Sequence, residues 1–185
     1  SEVSYSVSVL KRLADQLGKK ELRMIADGLV MSKLRYCLPV YASESIRFNE
    51  TDPHSTMIQR LQKSQNDALR IVTGNRRKDR VRVTAMLDSV GFMSINQMAA
   101  YGLLIEYWKA KEIGVPFLED LLERKRLDQR TLRSDTTKKA SSTGRDIVAR
   151  NLETLWNMSS DRFKATNILK VAKIEAKALA KSLPV

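Results

Sequence analysis

The sequence predicts an all-α fold, a bundle of about six to eight helices, and three observations carry that expectation. Apolar residues recur at three- and four-residue spacing along most of the chain. Only seven glycines and four prolines occur in 185 residues, and they fall between the periodic segments as punctuation. No stretch alternates with the period of two that a half-buried strand requires. A larger N-terminal bundle (1–125), a basic polar linker or long loop (126–144) and a two-helix C-terminal portion (145–185) follow from how the pattern is interrupted.

The elements can be taken in order. Residues 6–17 place Leu10, Leu13, Ala14 and Leu17 on one face, and Gly18 reads as the stop. Residues 19–38 carry Leu22, Ile25, Ala26, Leu29, Val30 and Leu34 as a broad apolar stripe, which Pro39 ends or kinks. A polar connection over 43–55 contains Asp52-Pro53. The third helix, 57–73, repeats Ile58, Leu61, Ala68, Leu69 and Val72, and Gly74 stands where a helix C-terminus favours a left-handed residue. A short fourth helix, 83–90, stops at Gly91. Ser94 caps a fifth that runs to about residue 113, with Met98, Ile105 and Trp108 for the core and Ala99, Ala100 and Gly102 for close helix approach. After Gly114-Val115-Pro116 a sixth helix spans 117–126. A seventh (146–156) and an eighth (160–182) close the chain. Cys37 lies among Tyr36, Leu38, Pro39 and Val40 and is expected to be a buried structural thiol, whereas His54 is expected to be exposed.

Charge bounds the function. Lys plus Arg number 33 against 21 Asp plus Glu, a net +12, which exceeds what solubility needs and suits a polyanionic partner. The densest block is Arg76, Arg77, Lys78, Arg80 and Arg82, interrupted by the single acid Asp79. A second candidate surface is Lys170, Lys173, Lys177 and Lys181, which helical spacing gathers within about 80° on one edge of the last helix. Ile168, Leu169, Ala172, Ala176 and Leu179 take the opposite side. Gln62, Gln65, Asn66 and Tyr41 are accessory candidates, the amides for sugar or backbone and Tyr41 for stacking. The other aromatic residues, Tyr36, Tyr101, Tyr107, Trp108 and Trp156, read as core anchors.

One cysteine and one histidine exclude an intramolecular disulfide and a zinc finger, and with Cys37 expected to be buried and His54 exposed no Cys/His or Ser/His pair is expected. No phosphate-cradling glycine loop, nucleophile elbow or paired-carboxylate set is present. Glu119 and Asp120 are adjacent and so diverge by ~100° on a helix. The chain alone is therefore expected to be non-catalytic, with no metal and no cofactor. It shows no signal peptide, lipidation motif or membrane-length apolar run, so an intracellular location, nuclear or cytoplasmic, and no membrane partner are expected.

Several segments, in this order, resemble the region that follows the polymerase core in reverse transcriptases of non-LTR (LINE-type) retrotransposons. Residues 24–41 contain Leu34-Arg35-Tyr36 and Pro39-Val40-Tyr41, similar to the family's Leu-x-Tyr element and its Pro-Val-Trp-like end. The most specific match is 61–74, which is similar to Leu-Gln-x-x-Gln-Asn-x-Ala-Leu-Arg-x-x-x-Gly through Leu61, Gln62, Gln65, Asn66, Ala68, Leu69, Arg70 and Gly74. Residues 87–95 resemble the short helix-turn that follows, and Trp156-Asn157 a recurrent pair near the end of such reading frames. The likeness spans about residues 14–170. Tyr41 stands where tryptophan is commoner, Ser94 where proline is commoner, and Met158-Ser159 where Leu-Pro is usual. The Tyr-x-Asp-Asp signature that holds the catalytic metals is absent.

The resemblance implies the thumb and the helices beyond it, with palm, fingers and endonuclease lying upstream of Ser1. It implies a non-catalytic module that holds RNA, DNA or their hybrid by the backbone through cations, attached to an upstream polymerase core in the family. A helical protein–protein interaction module, such as a retroelement fragment reused by its host, is the rival expectation. A continuous basic strip favours the first, and a large exposed apolar patch favours the second.

Overall fold

The computed structural model describes residues 2–52, 55–114 and 144–185, with the backbone alone at 144–146. All regular structure in them is helical, and the described residues contain no strand, as a multi-helix bundle requires. The predicted helix at 117–126, His54 and nearly all of the 126–144 seam lie outside the described residues. Two compact units form, Ser1–Ala99 with Leu183–Val185, and Ala100–Ser182.

The first unit is assembled on one long helix, α5 (Thr56–Thr73). Helix α1 (Glu2–Leu13) buries Leu10, and its end at Leu13 comes earlier than the periodicity suggested. Gly18 is not its stop. It lies in extended conformation (φ −73°, ψ 166°) as the N-cap of α2 (Lys19–Ala26). Helix α2 continues without a break through a π-helical turn, Asp27–Met31, into α3 (Ser32–Arg35). Val30 and Met31 are both fully buried, and the wider π turn lets two sequence neighbours face one core.

The corner after α3 corrects three expectations. Tyr36 leaves the helical region and Cys37 takes the left-handed one (φ 52°), so the helix breaks before Pro39. Proline then sits in the first turn of α4 (Leu38–Tyr41), where its missing N–H costs nothing. Cys37 is exposed rather than buried, and Tyr36 is exposed rather than a core anchor.

Helix α5 (Thr56–Thr73) contacts α1, α2 and α6. Ile58, Gln65, Ala68, Leu69 and Val72 form its buried face. Gly74 ends it with φ 73°, and nothing lies within 4 Å of where a Cβ would project. Gly74→Ala therefore meets no steric obstacle and isolates the left-handed penalty. It should lower stability by about 1–2 kcal/mol in urea unfolding, and a neutral result would mean that the turn relaxes.

Helix α6 (Val83–Val90) closes with Phe92 N–H donating to Leu87 O (3.0 Å) around Gly91, both side chains being buried. Arg23 reaches its C-terminus, donating through Nε to Val90 O (2.6 Å) while its guanidinium lies 5.6 Å from the Phe92 ring centre. Helix α7 (Ile95–Ile113) opens with a reciprocal cap. Gln97 N–H donates to Ser94 Oγ, and Ser94 N–H donates to Gln97 Oε1.

The second unit holds the rest of α7 with α8 (Gly144–Met158), α9 (Asp161–Ala165) and α10 (Leu169–Ser182). The single helix expected over 160–182 is broken at Thr166–Ile168, where Thr166 O accepts from Trp108 Nε1 (3.0 Å). Trp156 stands edge-on to Tyr107 and Phe163, with ring centres 5.2 and 6.0 Å away. Ala172, Ala176 and Ala180 form the buried stripe of α10, and Leu155, Leu152 and Phe163 complete this core. Ile168 and Leu169 are exposed, contrary to the wheel, because the break at Thr166 starts the helix only at Leu169.

Candidate nucleic-acid interface

The amides of α5 divide into two groups. Gln65 is fully buried, and its Nε2 donates to Met93 O (2.7 Å). Gln62 Nε2 donates to both Gln65 Oε1 (2.8 Å) and Asn66 Oδ1 (2.9 Å), while its Oε1 accepts the first N–H of α7, at Ile95 (3.0 Å). These two glutamines fasten the α6–α7 turn to α5 and satisfy a helix start that water cannot reach. Their expected contact with sugar or backbone is therefore replaced by a structural one. Among the described residues Asn66 keeps its Nδ2 donors free, and Gln59, two turns earlier, is exposed and free of hydrogen bonds.

Beside them lies a second polar knot. Asn96 Oδ1 accepts from Arg47 N–H (2.8 Å), and its Nδ2 donates to Arg47 O (3.0 Å) and Pro184 O (3.0 Å). Gln97 Nε2 donates to Leu183 O (3.0 Å). The buried Arg47 guanidinium gathers the carbonyls of Asn49, Glu50 and Asp52. Asp52 Oδ2 accepts from the N–H groups of Asn49 and Phe48, and these bonds hold its carboxyl below the usual carboxylate range. A lowered folded pKa means that this contribution is complete above the ordinary carboxylate pKa of about 3.9 and is lost as pH falls through the lowered value. Asp52→Asn should therefore flatten the dependence of stability on pH below about 4, as acid titration of urea unfolding would read. An unchanged acid limb would rule out Asp52 as the responsive group.

Two recesses open along the α5 surface, roughly a third of a turn from its buried face. One, about 270 Å³, is lined by Ile58, Gln59, Gln62, Lys63 and Asn66 together with Arg47, Asn96 and Val185. The other, about 490 Å³, is lined by Lys63, Asn66, Asp67, Arg70 and Arg77. Lys63 and Asn66 border both. Asp67 Oδ1 pairs with Arg77 (3.0 Å) and Arg70 (3.4 Å), so one carboxylate aims two guanidinium groups along the same rim.

The arginine block continues from this rim. A 3-10 turn at Arg77–Asp79 follows Gly74, and Arg76 N–H donates to Asp79 Oδ2 (2.6 Å). The one acid of the block thus pins the backbone of the turn. Arg76, Arg77, Lys78, Arg80 and Arg82 are all exposed. Among the described residues, Arg76, Lys78, Arg80 and Arg82 have no ion-pair partner. Arg80 holds φ 50°, a left-handed conformation that costs a non-glycine residue about 1–2 kcal/mol.

In the second unit, Lys170, Lys173, Lys177 and Lys181 are all exposed on α10. Tyr41 is half-exposed, but its hydroxyl donates to Tyr36 O (3.0 Å), which ties the ring to its own corner, and burial raises its pKa, helped by Cys37. Lys63 and Arg70 were missed as candidates, although their seven-residue spacing is two helical turns and puts them on one face. Arg47 and Asn96 had no such signal.

Comparison with protein-family models, with curated proteins and with solved structures finds no significant match.

Proposed function

We propose that this chain is a helical nucleic-acid-binding module that grips the phosphodiester backbone, in the manner implied by its resemblance to the region after the palm of non-LTR reverse transcriptases. One observation carries the reading: Lys63, Arg70 and Arg77 border a recess on α5, and the exposed, largely unpaired Arg76–Arg82 block leads on from it. Exposed cations without carboxylate partners keep their attraction for phosphate, and the net charge of +12 extends it to long range. Arg80 adds to this argument, since a long cation occupies a backbone conformation better suited to glycine. On this reading catalysis is left to other parts of a polymerase, and the ligand is RNA, DNA or hybrid recognised by shape and charge.

The test is a salt titration by fluorescence anisotropy on labelled duplex DNA and on single-stranded RNA. The logarithm of affinity should fall linearly with the logarithm of salt, with slopes of about −0.9 per phosphate on duplex and about −0.7 on single strands. Binding indifferent to salt, or none, would overturn the proposal.

A protein-partner reading draws on a different observation. Tyr36 and Val40, each 77% exposed, and Tyr41 crowd one corner of the first unit. A salt-insensitive association that Tyr36→Ser with Val40→Ser abolishes would favour it.

A further inference from the structure

We infer that the smaller recess on α5 receives an unpaired nucleobase, while the phosphates on either side of that nucleotide lie along the cationic recess next to it. The inference rests on the nucleic-acid reading above and assigns it a ligand class, a single-stranded nucleotide rather than a continuous duplex.

Size selects the occupant first. About 270 Å³ lies just under the roughly 300–1,000 Å³ of sites that enclose a whole small molecule. A flat heterocycle fits there, with its sugar and phosphates left at the open side. Lining chemistry selects next. Ile58 and Val185 supply apolar surface for a ring, and Gln59 and Asn66 supply hydrogen-bonding capacity that the protein leaves unused. Asn66 Oδ1 is held by Gln62, which fixes the amide so that its Nδ2 has open donors beside the recess. Gln62, Asn96 and Arg47 line the same space but spend their hydrogen bonds on the α7 start and the 47–52 loop, so they form its wall.

Continuity with the second recess supplies the charge argument. Lys63 and Asn66 border both spaces, so a group seated in the first is followed directly by the guanidinium groups of Arg70 and Arg77, with Asp67 paired to both and three cations outnumbering that one acid. Lys63 and Arg70 are two turns apart, about 10 Å along the helix axis, the rise of roughly three stacked nucleotides at about 3.4 Å each. A base pocket that opens onto a phosphate track of this length suits a strand end or an unpaired overhang. A blunt duplex keeps its bases stacked and would use the phosphate track alone.

The experiment compares three DNA duplexes by anisotropy at fixed salt: blunt, with a three-nucleotide overhang, and with the same overhang made abasic. The last two carry equal phosphates and differ only in bases. Wild type should bind the base-bearing overhang about fivefold to tenfold tighter than the abasic one, the worth of one or two hydrogen bonds. Gln59→Ala with Asn66→Ala should erase that ratio, and Gln59→Ala alone, which touches only the smaller recess, should leave blunt-duplex affinity and its salt slope unchanged. Gln59→Ala alone, at an exposed side chain with no hydrogen bond, should reduce the ratio and keep the fold intact by circular dichroism. Salt-dependent binding of all three duplexes with no preference for bases, or a preference that survives in the folded double variant, would overturn this inference alone. Failure of every duplex to bind would overturn it together with the reading on which it rests.

Discussion

Replacing Arg76, Arg80 and Arg82 together with alanine should flatten the salt dependence of duplex-DNA binding by about three units and weaken affinity by roughly 10²–10³-fold at about 0.1 M salt. Each phosphate contact contributes a slope of about −0.9, so three lost contacts remove about 2.7 units, which is the same number of decades at tenfold dilution from 1 M. The fold should survive. All three side chains are exposed and unpaired among the described residues, and Arg76 joins the turn through its backbone N–H. Sequence preference should not change, because phosphate contacts carry none. Lys173→Ala with Lys177→Ala should flatten the slope less, since those lysines line an ordinary exposed helix edge. Equal slopes and affinities for wild type and both variants would mean that neither surface holds nucleic acid.

Asn96→Ala should be among the most destabilising single substitutions in the first unit, by about 3–5 kcal/mol in urea unfolding. It strips partners from Arg47 N–H, Arg47 O and Pro184 O at once, with Arg47 and Asn96 both buried. Each buried polar group left unpaired costs about 1–3 kcal/mol. Gln65→Leu is the milder neighbour. It fills a similar volume but orphans Met93 O and one Gln62 donor, so about 1–3 kcal/mol is expected. A loss below about 1 kcal/mol for Asn96→Ala would show that the 47–52 loop and the tail re-form their bonds with water.

The helices were legible because burial writes itself into spacing. Thr56–Thr73 and Val83–Val90 carry both an apolar period and a terminal glycine, and they appear within a residue of where the pattern puts them. The corner at Tyr36–Cys37 was not legible, because nothing in the composition marks a cysteine that will adopt a left-handed conformation. Pro39 signals a boundary there without saying on which side of it the new helix lies. The break at Thr166 depends on a hydrogen bond from Trp108, far away in sequence. At the candidate site, charge density located the arginine block directly. The α5 amides were ambiguous, since a glutamine that holds a turn and one that faces solvent look alike until burial separates Gln65 from Gln59.

The Asn96 amide takes the place of a neighbouring strand. Ile46 is extended (φ −65°, ψ 130°), and an extended segment with an open N–H and C=O is a template on which another chain can add a strand. Asn96 meets both groups of Arg47 with a side-chain amide, as a neighbouring strand would, yet the ladder ends after that one residue. The protein thereby satisfies a buried, extended residue without building a sheet. Because Arg47 is buried, loss of that amide would leave its backbone donor and acceptor with neither a strand nor bulk water to replace it.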